Sequence, residues 1–304
     1  MLISIHALMK DALEKKYAVG YFESWNLESM LAVLDAAVAA RSPIIIGFNG
    51  DFVLNPERLD KLDIRILAAM ARTAAECVDI PVGLLLNETG AYEALESFLD
   101  LGFTGVMPRS PGVEDDQYAA DVAAFVRKAK EKGVWVEGEL GLLPTSLDGT
   151  MGQMDGGSLT SPEEAAEFVR RTGIDALAVS VGNVHHLVGG TSVVDVALVR
   201  RISAAVRIPL VVHGGSGLEK EQLQALIQAG MAKLNVGSCF KEAFLAGMNR
   251  ALRYDGPQHL DPHMLLGTGG AFDVMTAGRL AMKEVCTSFL EKIGCCGRAD
   301  GFAK

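Results

Sequence analysis

Short runs rich in Val, Ile and Leu recur at Ala18–Phe22, Ile44–Phe48, Val82–Leu86, Phe103–Met107, Val134–Glu139, Ala176–Ser180, Leu210–His213 and Met231–Val236. Most are continuously apolar, as strands buried on both faces of a parallel sheet must be. Between them the apolar period becomes helical. Leu27, Met30, Leu31, Leu34 and Val38 share one helical face; so do Val122, Phe125, Val126 and Ala129, and so do Leu223, Leu226 and Ile227. The punctuation agrees. Gly102, Gly133, Gly173 and Gly230 each stand between a helical stretch and a strand, where a left-handed C-cap is needed. Pro43, Pro81 and Pro209 open strands, where a missing N–H costs little. Ser161-Pro162-Glu163-Glu164 reads as an N-cap, a Pro at the first helical position and an acidic first turn.

Eight strands alternating with helices predict an α/β fold, and eight parallel strands close into a (β/α)8 TIM barrel. An open doubly wound sheet would call for a GxGxxG turn after the first strand, and Gly20-Tyr21-Phe22-Glu23 is not one. No linker or low-complexity run interrupts the pattern. Residues 1–304 are expected to form one barrel domain with a helical extension from about 255 to 304. Within it Asp273–Ile293 reads as one long helix that packs on the barrel or on a partner subunit. A homo-oligomer, dimer or tetramer, is expected. The Gly-, Thr- and Ser-rich stretch Leu143–Thr160 predicts a mobile loop over the site.

In such a barrel the chemistry collects where strands end. Those positions offer Glu23 and Asn26, Asn49 and Asp51, Asn87 and Glu88, Arg109, Glu137 and Glu139, His185 and His186, His213, then Asn235 and Ser238. His185 and His213 follow neighbouring strands, so their imidazoles could meet on one ion. Glu88 or Glu139 would complete a two-His-plus-carboxylate site for Zn²⁺, Co²⁺ or Mn²⁺. The competing reading is a pair of hydrogen-bonded structural histidines. His186 could replace His185, but not join it, because adjacent side chains diverge. The turn His213-Gly214-Gly215-Ser216-Gly217 lies between a strand and a helix starting near Glu219. Its backbone N–H groups can face an anion. Asn235-Val236-Gly237-Ser238 offers a second set of donors, and phosphate sites in barrels commonly use these last two loops.

Composition narrows the function. The formal charge of −10 argues against nucleic acid as a partner. No apolar run approaches the ~20 residues that span a bilayer, and Met1–His6 does not resemble a signal peptide. Five cysteines, an odd number in a large chain, argue for reduced thiols and a cytoplasmic setting.

Several stretches together resemble the class II, metal-dependent ketose-bisphosphate aldolases, typified by fructose-bisphosphate aldolase. They are Tyr17–Phe22 with Asn26-Leu27-Glu28, Ser42–Ile45, Gly102–Met107, Val136–Gly141, Val211–Gly217 and Lys233–Val236. The resemblance implies that His185 and His213 bind the catalytic metal. It also implies that Gly214–Gly217 and Asn235–Ser238 hold the phosphate of dihydroxyacetone phosphate, with Gly214, Gly215, Ser216, Asn235, Gly237 and Ser238 as the contacts.

The departures are concentrated. Where the family carries His-Leu-Asp-His-Gly after the third strand, this chain has Leu85-Leu86-Asn87-Glu88-Thr89. The catalytic Asp has become Asn87, which cannot act as a base, and the first metal-binding His has become Glu88. The family's Asn near the first strand end appears as Glu23, its Ser after the second strand as Asn49, and its Asp after the fourth as Arg109. His186 stands where a Gly usually follows the metal His. The expected activity is therefore aldol cleavage or formation of a C–C bond in a phosphorylated ketose or sugar acid other than fructose 1,6-bisphosphate. It would pass through a metal-stabilised enediolate. Glu88 serves as the base unless it is a ligand, in which case Glu23 or Glu139 does. Arg109 is placed to meet a carboxylate or second phosphate. Two other classes remain open: an epimerase, isomerase or decarboxylase using the same enediolate, and a non-catalytic sugar-phosphate binder.

Overall fold

A computed structural model describes residues 1–109, 115–141, 159–184, 191–253 and 261–302. Eight parallel strands close in sequence order: β1 (Val19–Glu23), β2 (Ile44–Asn49), β3 (Val82–Thr89), β4 (Gly105–Pro108), β5 (Trp135–Leu140), β6 (Ala176–Val179), β7 (Leu210–Val212) and β8 (Met231–Val236). All eight runs read from the sequence are strands, displaced by a residue or two at their ends. The larger extension is in β3. Its pairing with β4 shifts register between Leu86 and Thr89, and Glu88 takes a left-handed backbone with φ of 48°.

The helices are α1 (Ile5–Lys15), α2 (Leu27–Ala39), α3 (Gly50–Val53), α4 (Ile64–Glu76), α5 (Tyr92–Phe98) and α6 (Asp115–Glu131). There follow α7 (Pro162–Thr172), α8 (Val196–Val206), α9 (Lys220–Ala229), α10 (Ser238–Leu252), α11 (Pro262–Leu265) and α12 (Val274–Lys292). Local signals explain most boundaries. Ser161 caps α7 by accepting from Glu164 N–H, and Gly173 ends it at φ 67°. Gly230 ends α9 at φ 119°, where a side chain would also strike Ser203. Asp273 caps α12 through the N–H groups of Met275 and Thr276.

Two features went beyond the periodicity. Helix α1, started by the Ser4 cap, drives Ile5 and Leu8 against the N-terminal ends of β3 and β4. A Cβ at Gly83 would lie 2.8 Å from Ile5, and one at Gly105 2.7 Å from it, so these glycines make room for the plug. The second is where the expected long helix lies: α12, read from the sequence as Asp273–Ile293, packs along α2 and α10. Its Phe289 meets Phe22 of β1 and Phe240 of α10 edge-on, and Arg279 pairs with Asp35 of α2 at 2.7 Å. Because α2 lies between barrel and α12, it buries Ala32, Val33, Ala36 and Ala37 besides Met30 and Leu34. Leu27, expected on the buried face, is 44% exposed.

Candidate active site

The C-terminal strand ends of β1, β2, β3 and β8 and the turn after β7 surround an open cleft. Tyr21, Glu23, Asn49, Asn87, Glu88, Gly214, Ser216, Asn235, Gly237 and Ser238 line it. At the end of β3 the left-handed Glu88 is held by two amides. Asn49 Nδ2 donates to Oε2 at 2.8 Å, and Asn87 Nδ2 donates to Oε1 at 3.0 Å. A non-glycine residue in this conformation costs of order 1–3 kcal/mol, and such strain persists where the surroundings over-determine it. The Asn49 and Asn87 amides supply that determination.

His213 follows β7 and is wholly buried. Its Nε2 is 2.8 Å from Glu137 Oε1 and 2.9 Å from Asn235 Nδ2. An ionised carboxylate only accepts, so Nε2 carries the proton. Nδ1 then faces Glu88 Oε1 at 3.3 Å and Glu139 Oε1 at 4.0 Å. A lone pair aimed at two carboxylates needs a cation between them or a proton of its own. Without a cation, burial works against the charged imidazole. The hydrogen bonds to Glu137 and Glu88 outweigh it and raise the pKa to about 9. Glu137 is itself buried and is held below the usual carboxylate range: burial opposes ionisation, but Lys233 and His213 overcome it. Lys233 Nζ donates to Glu137 Oε2 at 2.8 Å and to Asn235 Oδ1 at 2.6 Å, inside the barrel. Burial pushes this lysine down, and the charge of Glu137 opposes that shift.

On the other side of the cleft lie the two anion loops. Gly215–Gly217 forms a 3-10 turn, and Cys239 N–H of α10 donates to Ser216 Oγ at 3.4 Å, tying the loops together. Gly215 is not itself on the cleft; it packs beneath, where a Cβ would meet Leu234 at 2.9 Å and Asn235 O at 3.0 Å. Glu23 leans over Gly237, and Lys241 Nζ donates to its Oε1 at 2.8 Å.

The fold therefore gathers Glu88, Asn87, Asn49, Glu139, His213 and Asn235 at one centre, and Glu23, Gly214, Ser216, Gly237 and Ser238 beside it. Arg109 stands apart at the rim, 3.4 Å from Asp51, whose other oxygen accepts from Gly90 N–H. His185 and His186, and all but the end of the Leu143–Thr160 loop, lie outside the described residues. Thr160 is described, and it bridges β5 and β6 through Leu140 O and Ser180 N. Sequence reasoning missed Lys233, Lys241 and Tyr21 and gave Glu137 no role. A signal existed for Lys233: it is a charge within an apolar strand, two residues before Asn235 and so on the same face.

The sequence profile described as fructose-bisphosphate aldolase class-II matches residues 3–298. This chain belongs to that family. It is 31% identical to fructose-bisphosphate aldolase of Geobacillus stearothermophilus over 98% of this chain and 99% of that one. It is 33% identical to the Escherichia coli K12 protein YdjI over 78% and 82% of the two chains. The crystal structure of the YdjI aldolase superposes with a TM-score of 0.80 at 27% identity, covering 98% of this chain and 100% of that one.

A class II aldolase is a carbon–carbon lyase dependent on a divalent metal, typically zinc, and this protein is an aldolase-type lyase. Among the described residues no group of three or more His, Cys, Asp or Glu side chains stands ready to hold a metal. The donor chemistry nonetheless fits one. Glu137 fixes the His213 tautomer, as carboxylates do behind metal-binding histidines, and leaves Nδ1 facing the carboxylates of Glu88 and Glu139.

Proposed function

We propose that this class II aldolase cleaves or forms a C–C bond in a phosphorylated ketose or sugar acid other than fructose 1,6-bisphosphate. The observation that carries this reading is Glu88. A doubly hydrogen-bonded carboxylate faces His213 Nδ1 at 3.3 Å, with Asn87 where the family's base would be. Both carboxylate oxygens are already engaged by amide donors, which suits a ligand held in place better than a base. In this reading His185, His213 and Glu88 hold the metal, which when bound would polarise the ketose carbonyl.

The other roles fall to the chain's own groups. Glu139, partly exposed beside His213, takes the proton of the hydroxyl on the carbon that becomes the aldehyde. The bond to the neighbouring carbon breaks, and its electron pair goes to the carbonyl-bearing fragment. Asn87 and Asn235 orient substrate hydroxyls, and Arg109 at the rim meets an acid or second phosphate at the far end. Glu137 keeps His213 in one tautomer, while Lys233 compensates its buried charge.

The test is a panel of phosphorylated ketoses and phosphorylated sugar acids, with aldehyde release measured after loading with Zn²⁺, Co²⁺ or Mn²⁺. At least one member should be cleaved much faster than fructose 1,6-bisphosphate. Efficient cleavage of that sugar would overturn the reading. Turnover without aldehyde would point to an epimerase, isomerase or decarboxylase, and metal-dependent binding without turnover to a sugar-phosphate binder.

A further inference from the structure

We propose that Glu23 is a built-in occupant of the anion site, held there by Lys241, and that a phosphate must displace it and take over that lysine. The inference rests on the reading above that the ligand carries a phosphate, and it assigns Glu23 and Lys241 to setting how tightly that phosphate is held.

Glu23 ends β1, and its carboxylate lies against the backbone of Gly237. A Cβ there would come within 2.3 Å of Glu23 Oε2, so no side chain could stand between them. Gly237 is the N-cap of α10, a helix of 15 residues, and the cleft at this point is lined by Ser216, Gly237 and Ser238. A carboxylate therefore sits where a helix N-terminus and a glycine-rich turn favour negative charge. One turn into the same helix, Lys241 Nζ donates to Glu23 Oε1 at 2.8 Å. The ammonium is held in place by aromatic faces, 4.8 Å from the Phe52 ring and 5.8 Å from the Trp25 ring. An ammonium has three donors. Among the described residues Lys241 spends one, on Glu23.

Tyr21 gives an independent sign that a ligand enters here. It points to the same side of β1 as Glu23, two residues earlier, and lines the same cleft. It is 2% exposed, and its hydroxyl has no hydrogen-bond partner among the described residues. A buried phenol normally finds a partner. A phosphate oxygen or sugar hydroxyl in the cleft would provide it.

A phosphate arriving beside the Glu23 carboxylate would meet its repulsion. If the carboxylate swings away, the phosphate inherits the helix N-terminus, the turn and the Lys241 ammonium together. Glu23 then lowers affinity for any anion too weak to displace it and leaves the lysine paired in the free protein.

The experiment is calorimetric titration of inorganic phosphate into the wild type, Glu23→Gln, Lys241→Gln and the double variant. Glu23→Gln should bind phosphate about tenfold more tightly, because the competing charge is gone. Lys241→Gln should bind at least about tenfold more weakly, the loss expected for a charged hydrogen bond. The double variant should fall between. A Glu23→Gln protein that binds phosphate no better than wild type would overturn the proposal, as would phosphate binding in no variant. If Lys241→Gln does not fold, the sign of the isosteric Glu23→Gln effect decides alone. Phosphate binding needs neither metal nor turnover. Failure to find a cleavable ketose would therefore leave this result standing, and an unmoved phosphate affinity would leave the cleavage result standing.

Discussion

A carboxylate at Glu88, where the resemblance implies a metal-binding imidazole, changes charge, reach and backbone at the end of β3. The strain at Glu88 is sustained by the Asn49 and Asn87 amides, so the three residues act as a unit. Glu88→Gln should lose metal affinity, or at least ~10²-fold in rate if the carboxylate serves as the base. Metal content and single-turnover rates, measured side by side, separate the two roles; normal values of both would remove Glu88 from the site. His213 makes a pH prediction. Its pKa is about 9 when folded and metal-free, against 6.5 for an exposed imidazole. Its contribution to stability is therefore complete below pH 6.5 and is lost as pH rises through 9. Metal-stripped protein should melt at progressively lower temperature over that interval, and His213→Asn should flatten the dependence. Saturating Zn²⁺ should reverse the preference, since proton and metal compete for Nδ1. The residue scale is also where the sequence was least legible. His213, Glu88 and Asn87 could be named from their places after strands. The pairings of Glu137 with Lys233 and of Glu23 with Lys241 could not, since they join residues 96 and 218 positions apart. Nothing local encodes such a contact.

At the scale of elements, the strands and most caps were legible because their signals are local: apolar runs, Pro at strand starts, Gly at helix ends. The buried face of α2 was misread for the opposite reason. Periodicity reports one apolar stripe, whereas α12 arrives from the far end of the chain and packs along α2, which buries Ala32, Val33, Ala36 and Ala37 as well. Helix α12 also bears on the site, because it supports α10, which carries Ser238 and Lys241. Phe289→Ala would remove a ring packed against Phe22 and Phe240 and should cost about 3–5 kcal/mol. Denaturant titration should show that loss, and phosphate affinity should fall with it as α10 loosens. An undiminished affinity in the destabilised variant would show that the anion loops are held without α12. Inside the barrel the expectation for Lys233→Met is similarly large. Removing one member of a buried pair strands the other and costs about 3–5 kcal/mol. Lys233→Met paired with Glu137→Gln should recover part of that stability in the same titration.

For the molecule as a whole, chain-long family membership establishes a lyase scaffold, and most of the departures that the resemblance implies fall around one rim of it. Asn49, Asn87, Glu88 and Arg109 lie on the β2 to β4 side, while the Gly-rich loops after β7 and β8 keep the family's pattern. Two departures lie elsewhere: His186 follows β6 in the sequence, and Glu23, an altered residue, crosses to the loop side. Restoring Asp at Asn87 alone should therefore not create an efficient fructose-bisphosphate aldolase. The measurement is kcat/KM for that sugar in Asn87→Asp, and a rise to the rate on the best panel substrate would show that one lost base accounts for the change. The floor of the barrel imposes a further condition. Ile5 and Leu8 close the N-terminal ends of β3 and β4, so traffic passes through the mouth above the strand ends. Two fragments made in a vessel with one opening must leave in turn, and the one lodged deeper cannot depart until the shallower has cleared the way. In product-inhibition kinetics the last to leave should compete with the intact sugar for the empty enzyme, whereas the first should not.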